Sequence, residues 1–278
     1  MRITTKQIDE KIKKYEELQK IVISMKSVAS ANVKKAQDLI SSLREYERSI
    51  LDLIALMLSH FPRLGMREIP VKGSIVVVFG SDLGLCGVFN EKVAEKATSL
   101  FKGKELKGYL VVGRKLSDII EHKKIKVFRA PTHYEAIYSR ASELIEEVSE
   151  ILRNEVFEIY TVYNQFSGIG KYKPVVKKVF PFEVRIGKSD NIPPVLDIPP
   201  EDIIKGLIMD YVFAMFYTAF LESFLSENGV RLMNMNSASS SIGKNLERLK
   251  MERNYYRQEE ITAEIEEIMS TYKALSQE

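Results

Sequence analysis

The run IDEKIKKYEELQKIVISMKSVASANVKKAQDLISSLREYERSILDLIALM, residues 8 to 57, decides the reading of the whole chain. Its apolar or small side chains fall at Ile8, Ile12, Tyr15, Leu18, Val22, Met25, Ala29, Val33, Ala36, Ile40, Leu43, Tyr46, Ile50, Leu53 and Met57. That is fourteen steps over 49 residues, a mean of about 3.5, the coiled-coil period rather than that of a straight helix. Lys13, Glu17, Lys34, Arg44 and Glu47 occupy the other faces. About sixty such residues, each rising 1.5 Å, run for about 90 Å. A compact domain of this size is much narrower, so another long element must bury the stripe.

The helix breakers show where that element lies. Of the 278 residues, all nine prolines fall between Pro62 and Pro200, and eleven of the fourteen glycines fall between Gly65 and Gly187. The last flank carries only Gly206, Gly229 and Gly243, each costing about 1 kcal/mol in a helix. It keeps a less regular stripe through Leu207, Tyr211, Ala214, Tyr217, Leu221, Leu225, Leu232, Met235, Ala238, Ile242, Leu246, Leu249, Tyr256, Ile261, Ile265, Ile268, Tyr272 and Leu275. The expected architecture is an α/β insert plus a long antiparallel two-helix coiled coil formed by the N- and C-terminal helices. Its boundaries are a first helix over 1–61, a Rossmann-like α/β domain over 70–190, a linker over 191–202 and a second helix over 203–278.

Within the insert, apolar runs alternate with amphipathic ones. SIVVVFG (74–80), YLVVG (109–113) and KVFRA (126–130) read as strands. Helices are expected from about Glu91, from about Arg114 and from about His133 to Arg153, with further strands near Phe157–Phe166 and Pro174–Val184. This alternation argues for an open sheet with parallel strands. PPVLDIPP (193–200) reads as an extended linker.

Candidate chemistry is thin. FGSDLGLCGVFN (79–90) offers a glycine-rich turn between strand and helix, but Asp82 stands where the dinucleotide fingerprint needs glycine. GIGKY (168–172) lacks the Walker spacing. His60, His122 and His133 are scattered and form no metal-binding spacing. Cys86 reads as a small buried residue rather than a nucleophile, and one cysteine requires no oxidising compartment. No catalytic residue, cofactor, metal or directly bound nucleotide is expected. The formal charge of +3 is too mild to imply nucleic acid. The N-terminus lacks the marks of a secretory or transit signal. The apolar stretch Leu207–Leu221, interrupted by Asp210, reads as a buried helix rather than a membrane span.

Two features of the last flank point to a partner. RLMNMNSASSSIG (231–243) makes a slender helix, fit either for a thin coiled coil or for a shaft enclosed by something else. Residues 231–257 hold six basic side chains, Arg231, Lys244, Arg248, Lys250, Arg253 and Arg257, against Glu247 and Glu252. An acidic partner surface is the sharper explanation, a solvated face the plainer one.

IVISMKSVASANVKKAQ (21–37), SDLGLCGVFN (81–90), ENGVRLMNMNSAS (227–239) and NYYRQEEITAEIEEI (254–268) together resemble the gamma subunit of rotary F-type ATP synthases. The resemblance runs end to end, and its most specific part is the C-terminal Arg-Gln, Ile-Thr, Glu-Ile pattern. It implies a non-catalytic central stalk that transmits torque between a membrane ion-driven ring and a catalytic alpha/beta hexamer. The implied partners are the alpha and beta subunits, the epsilon subunit and the membrane c-ring, on the cytoplasmic face of a bacterial plasma membrane. Carried over by position, Arg257 and Gln258 would meet a catch loop of a beta subunit. Met25 and Lys26 would lie on the facing helix near the bearing contact, close to Thr262 and Glu264, with Arg253 in the same contact set. A self-standing coiled-coil tether with an α/β module is the reading of another class. It predicts self-association through the flanks.

Overall fold

The computed structural model describes residues 5–64, 71–101, 105–121, 123–182 and 194–275. His122, Val184 and Pro193 lie outside the described residues. Two compact units result, one formed by 1–28 with 233–278 and the other by 29–232.

The larger unit is built on five strands, β1 Ser74–Phe79, β2 Leu106–Val112, β3 Lys124–Phe128, β4 Glu158–Gly168 and β5 Lys171–Phe180, in the order β3-β2-β1-β4-β5. The first four run parallel, and β5 pairs antiparallel with β4. β1 is buried at every position, as a β-branched run must be when helices cover both faces of a parallel sheet. Its alternate residues divide the core. Ile75, Val77 and Phe79 join one cluster, with α4 (Ile137–Asn154) and the long helices α1 (Thr5–His60) and α5 (Pro200–Leu275). Val76 and Val78 join the other, with α2 (Phe89–Phe101) and Leu116 and Ile120. α4 shows why such a segment is helical: buried Ile137, Ala141, Leu144 and Val148 fall on one face at steps of four and three.

Several details differ from the sequence-based expectation. The helix expected from Arg114 is the single turn α3, Arg114–Ser117. α5 begins at Pro200, three residues before the expected boundary, because proline is tolerated in the first helical turn, where its missing N–H has no partner to lose. On α1 the stripe keeps its mean step but slips locally. Leu18, Tyr46 and Leu53 are each about half exposed, while Glu47 and Ile54 face inward. A 4-3 alternation allows either of two adjacent residues to hold the face. Glu47 takes it over Tyr46 because Lys177 on β5 supplies an ammonium 3.2 Å from its carboxylate.

The same core explains α5. Every residue from 218 to 232 is buried. Gly229 packs against the tip of the β4–β5 hairpin, where a Cβ would lie 3.4 Å from the Gly170 nitrogen and from the Phe166 ring. By length and composition α5 is apolar enough to cross a membrane, with mean hydropathy 1.5 in its most apolar window. Its burial from Tyr211 to Leu225 against α1, α4 and the sheet marks a core helix instead.

The smaller unit holds the first turns of α1 against the last half of α5. Ile8 and Ile12 pack on Leu246 and Leu249, flanked by Tyr15, Ile242 and Tyr256. The pairing is antiparallel: Thr5 donates its hydroxyl and amide hydrogens to Glu260 at 2.6 and 3.2 Å, Asp9 lies 3.7 Å from Arg253, and Glu16 lies 4.0 Å from Lys250.

Candidate functional site

All seven expected contact residues lie in the smaller unit. Arg257, Gln258, Thr262 and Glu264 are exposed on successive turns of α5, and the Thr262 hydroxyl donates to the Gln258 carbonyl at 2.9 Å. Arg253 is half-buried between Asp9 and the Asn254 side chain. Met25 is half-buried and Lys26 exposed on α1. The antiparallel register corrects their expected placement. Thr5 meets Glu260, so Met25, twenty residues along α1, sits about 30 Å from the level of Thr262 and Glu264. These are two separate surfaces on the paired helices, one near Met25 and one near Arg257.

The second surface continues beyond what was expected. Ile261, Ile265, Ile268 and Tyr272, together with Met269, are between 46% and 70% exposed. Their spacing of four, three and four makes a helical stripe, which the sequence assigned to the intramolecular coiled coil. Past Glu260 Ile261, Ile265 and Ile268 are instead exposed. Arg231 also leaves the basic set, since it is buried and paired with Glu227 one turn earlier. Burial pushes the Glu227 carboxyl up to about 7 against the attraction of that guanidinium. Removing Arg231 reduces the local excess over 231–257 from +4 to +3, and Arg253 and Lys250 face acids of α1.

Asp82 Oδ1 accepts the backbone N–H of Arg114 at 2.9 Å and of Ala130 at 3.1 Å, and the Arg114 guanidinium lies 3.5 Å from the second oxygen. This carboxylate ties the turn after β1 to the chain leaving β2 and β3. Asp82→Ala strips two amides of their acceptor and is expected to destabilise the larger unit by about 1–3 kcal/mol, readable as a lower denaturant midpoint at unchanged slope. Around it, Asn90 Oδ1 accepts the Ser81 N–H at 2.9 Å, and its amide donates to the Ser81 hydroxyl at 2.9 Å. Cys86 is buried beside Ser81. Burial raises its thiol pKa, which disfavours the nucleophilic thiolate. Among the described residues no group of histidine, cysteine and carboxylate side chains could hold a metal.

Paired antiparallel helices that expose apolar and basic side chains in one unit, and a five-stranded α/β sheet in the other, define a class of coiled-coil protein with an α/β insert. The model of a family described as ATP synthase matches residues 4–275. A relative from Pelotomaculum thermopropionicum, "ATP synthase gamma chain", is 31% identical over 95% of this chain and 96% of its own. One of the same name from Heliobacterium modesticaldum is 28% identical over 96% and 98%. Among solved structures, a chain of the Euglena gracilis mitochondrial ATP synthase (OSCP/F1/c-ring) has a TM-score of 0.68 at 16% identity, covering 98% of this chain and 94% of that one. A chain from the Tetrahymena thermophila enzyme's central stalk and c-ring has a TM-score of 0.60 at 19% identity, covering 79% and 99%. These two share the fold. The chain belongs to the ATP synthase family, among the gamma chains. Its role is that of the central stalk, a subunit of the ATPase complex.

Proposed function

We propose that the two exposed surfaces of the paired helices bear on the alpha and beta subunits of a catalytic hexamer, and that the chain itself has no active site. The observation that carries this is the stripe Ile261, Ile265 and Ile268, apolar and 46% to 67% exposed on successive turns of α5. A contiguous apolar stripe of this kind is a partner surface. Arg257 and Gln258 lie on the turn before it and supply charge-assisted hydrogen bonds to a catch loop of a beta subunit. Met25 and Lys26 serve a second contact at another level. The α/β unit faces the epsilon subunit and the c-ring; the Euglena and Tetrahymena assemblies that hold the chains of similar fold also hold a c-ring.

In this reading ion flow turns the shaft, and each orientation favours a different conformer of the beta subunit it touches. A shaft with unequal contacts to different conformers shifts their populations. The complex sits on the cytoplasmic face of a bacterial plasma membrane, with this chain peripheral to the bilayer.

The test mixes the chain with alpha and beta subunits. ATPase activity should arise only in the ternary mixture. Arg257→Ala with Gln258→Ala should leave assembly intact and lower ATP synthesis by about tenfold, the loss of one or two charge-assisted bonds of about 1.5–3 kcal/mol. Unchanged synthesis would refute the residue assignment. Self-association without affinity for the hexamer would favour the tether reading.

A further inference from the structure

The most enclosed part of α5 is also unusually polar. Glu222, Ser223, Ser226, Glu227, Asn228 and Arg231 all lie in the buried run 218–232, none more than 7% exposed. Their partners come from elements on several sides. Glu222 Oε1 accepts from Arg44 Nη2 at 2.5 Å and Nε at 3.1 Å, and its Oε2 accepts the Phe166 N–H at 2.7 Å. The Ser223 hydroxyl donates to the Phe79 carbonyl at 3.4 Å, and the Ser226 hydroxyl donates to the Asn164 carbonyl at 2.8 Å. Asn228 Oδ1 accepts from Asn32 Nδ2 at 3.1 Å. Arg231 Nη2 reaches the carbonyls of Leu83 and Gly84 at 3.5 and 3.4 Å. One helix is thus bonded to α1, β1, β4 and the turn after β1, while Lys177 and Glu47 join α1 to β5.

Apolar packing resists separation much more than sliding, because ridges on a helix find equivalent grooves about one turn, 5.4 Å, away. Hydrogen bonds are directional, and a buried partner left unmatched is costly. We propose that this polar row keys α5 to the sheet, and α1 to both, so that twist applied to the α/β base enters the helices as shear on directional bonds. Glu222 is the central positioning residue, since it joins α1, α5 and β4. The inference rests on the central-stalk reading and adds the place where torque crosses from sheet to helix.

A structural role alone would be largely kept by apolar replacement: Glu222 is fully buried and Arg44 is 44% exposed, and exchanging a buried charge together with its partner for hydrophobic side chains is often neutral for stability. The experiment therefore uses the whole membrane complex with Arg44→Met and Glu222→Met together, and separately with Ser226→Ala, which removes one bond and little volume. In both complexes ATP hydrolysis should stay within about twofold of wild type. Ions pumped per ATP should fall by about twofold or more, and angular fluctuations of a bead on the ring should widen, as expected when directional bonds are lost. Glu222→Gln, whose single carbonyl oxygen can accept from Arg44 or from the Phe166 N–H but not from both, should pump between the double variant and wild type. Wild-type pumping and stiffness in either assembled variant would overturn the proposal. Should the double variant not assemble, Ser226→Ala decides it alone. A wild-type complex that hydrolyses ATP without pumping would refute the central-stalk reading instead.

Discussion

Replacing Ile261, Ile265 and Ile268 together by Ser should abolish rotary coupling while leaving the isolated chain as stable as before. These side chains are 46%, 55% and 67% exposed, so folding gains little from them, and exposed substitutions rarely change stability by more than about 0.5 kcal/mol. Under the proposed function they form the buried centre of a contact in the complex, where truncation of one anchor costs about 2 kcal/mol or more. Synthesis by membranes carrying the triple variant should fall by well over about tenfold, since each 1.4 kcal/mol is a factor of ten. Thermal melting of the purified variant should match that of the parent chain, and its tendency to aggregate should fall as an open apolar stripe is lost. Normal synthesis would show that this end of α5 bears on nothing.

Phe220→Ala should do the reverse, unfolding the larger unit whatever the partners. Phe220 is 1% exposed and meets Phe79 of the central strand edge to face, centroids 4.8 Å apart at 85°. Phe79 in turn lies 6.5 Å from Tyr163 at 86°. Truncation removes the ring and leaves a cavity between the sheet and α5, at a cost of about 3–5 kcal/mol. Against a total stability of about 5–15 kcal/mol, that loss should appear as a markedly lower denaturant midpoint and poor yield of assembled complex. A midpoint within about 1 kcal/mol of wild type would mean that the site collapses around the smaller side chain. The two substitutions separate apolar side chains that fold the chain from those that serve its partners.

That separation was only partly legible beforehand. The period of 3.5 from Ile8 to Met57 and the confinement of proline to 62–200 lead to paired long helices around an α/β insert, because backbone geometry and the missing proline N–H act locally. SIVVVF at 74–79 reads as a buried parallel strand for the same reason, since side-chain branching and flanking turns are local properties. The faces were harder. Tyr46 and Glu47 are adjacent on the helix, and hydropathy favours Tyr46, yet Lys177, 130 residues away in sequence, holds Glu47 inside. Asn228 is a polar residue within the buried run of α5, and Asn32, 196 residues away in sequence, supplies its side-chain partner. Arg231 counted as surface charge until Glu227 and the 83–84 carbonyls enclosed it.

The contact residues show the same limit. Their motifs could be matched one by one, but the distance between Met25 and Thr262 depends on which residue of α1 stands opposite which residue of α5. The bonds from Thr5 to Glu260 and the packing of Ile8 and Ile12 on Leu246 and Leu249 set that register. Sequence alone therefore determined the two helices, the sheet between them and the absence of a recognisable phosphate loop, each written in residues a few positions apart. Tertiary structure decided the register, the inward turn of Glu47, Glu222 and Arg231, and the exposure of Ile261 to Tyr272. A buried charge needs its counter-charge and an apolar stripe needs its cover, and those neighbours are supplied by distant parts of the chain or, past Glu260, by none among the described residues.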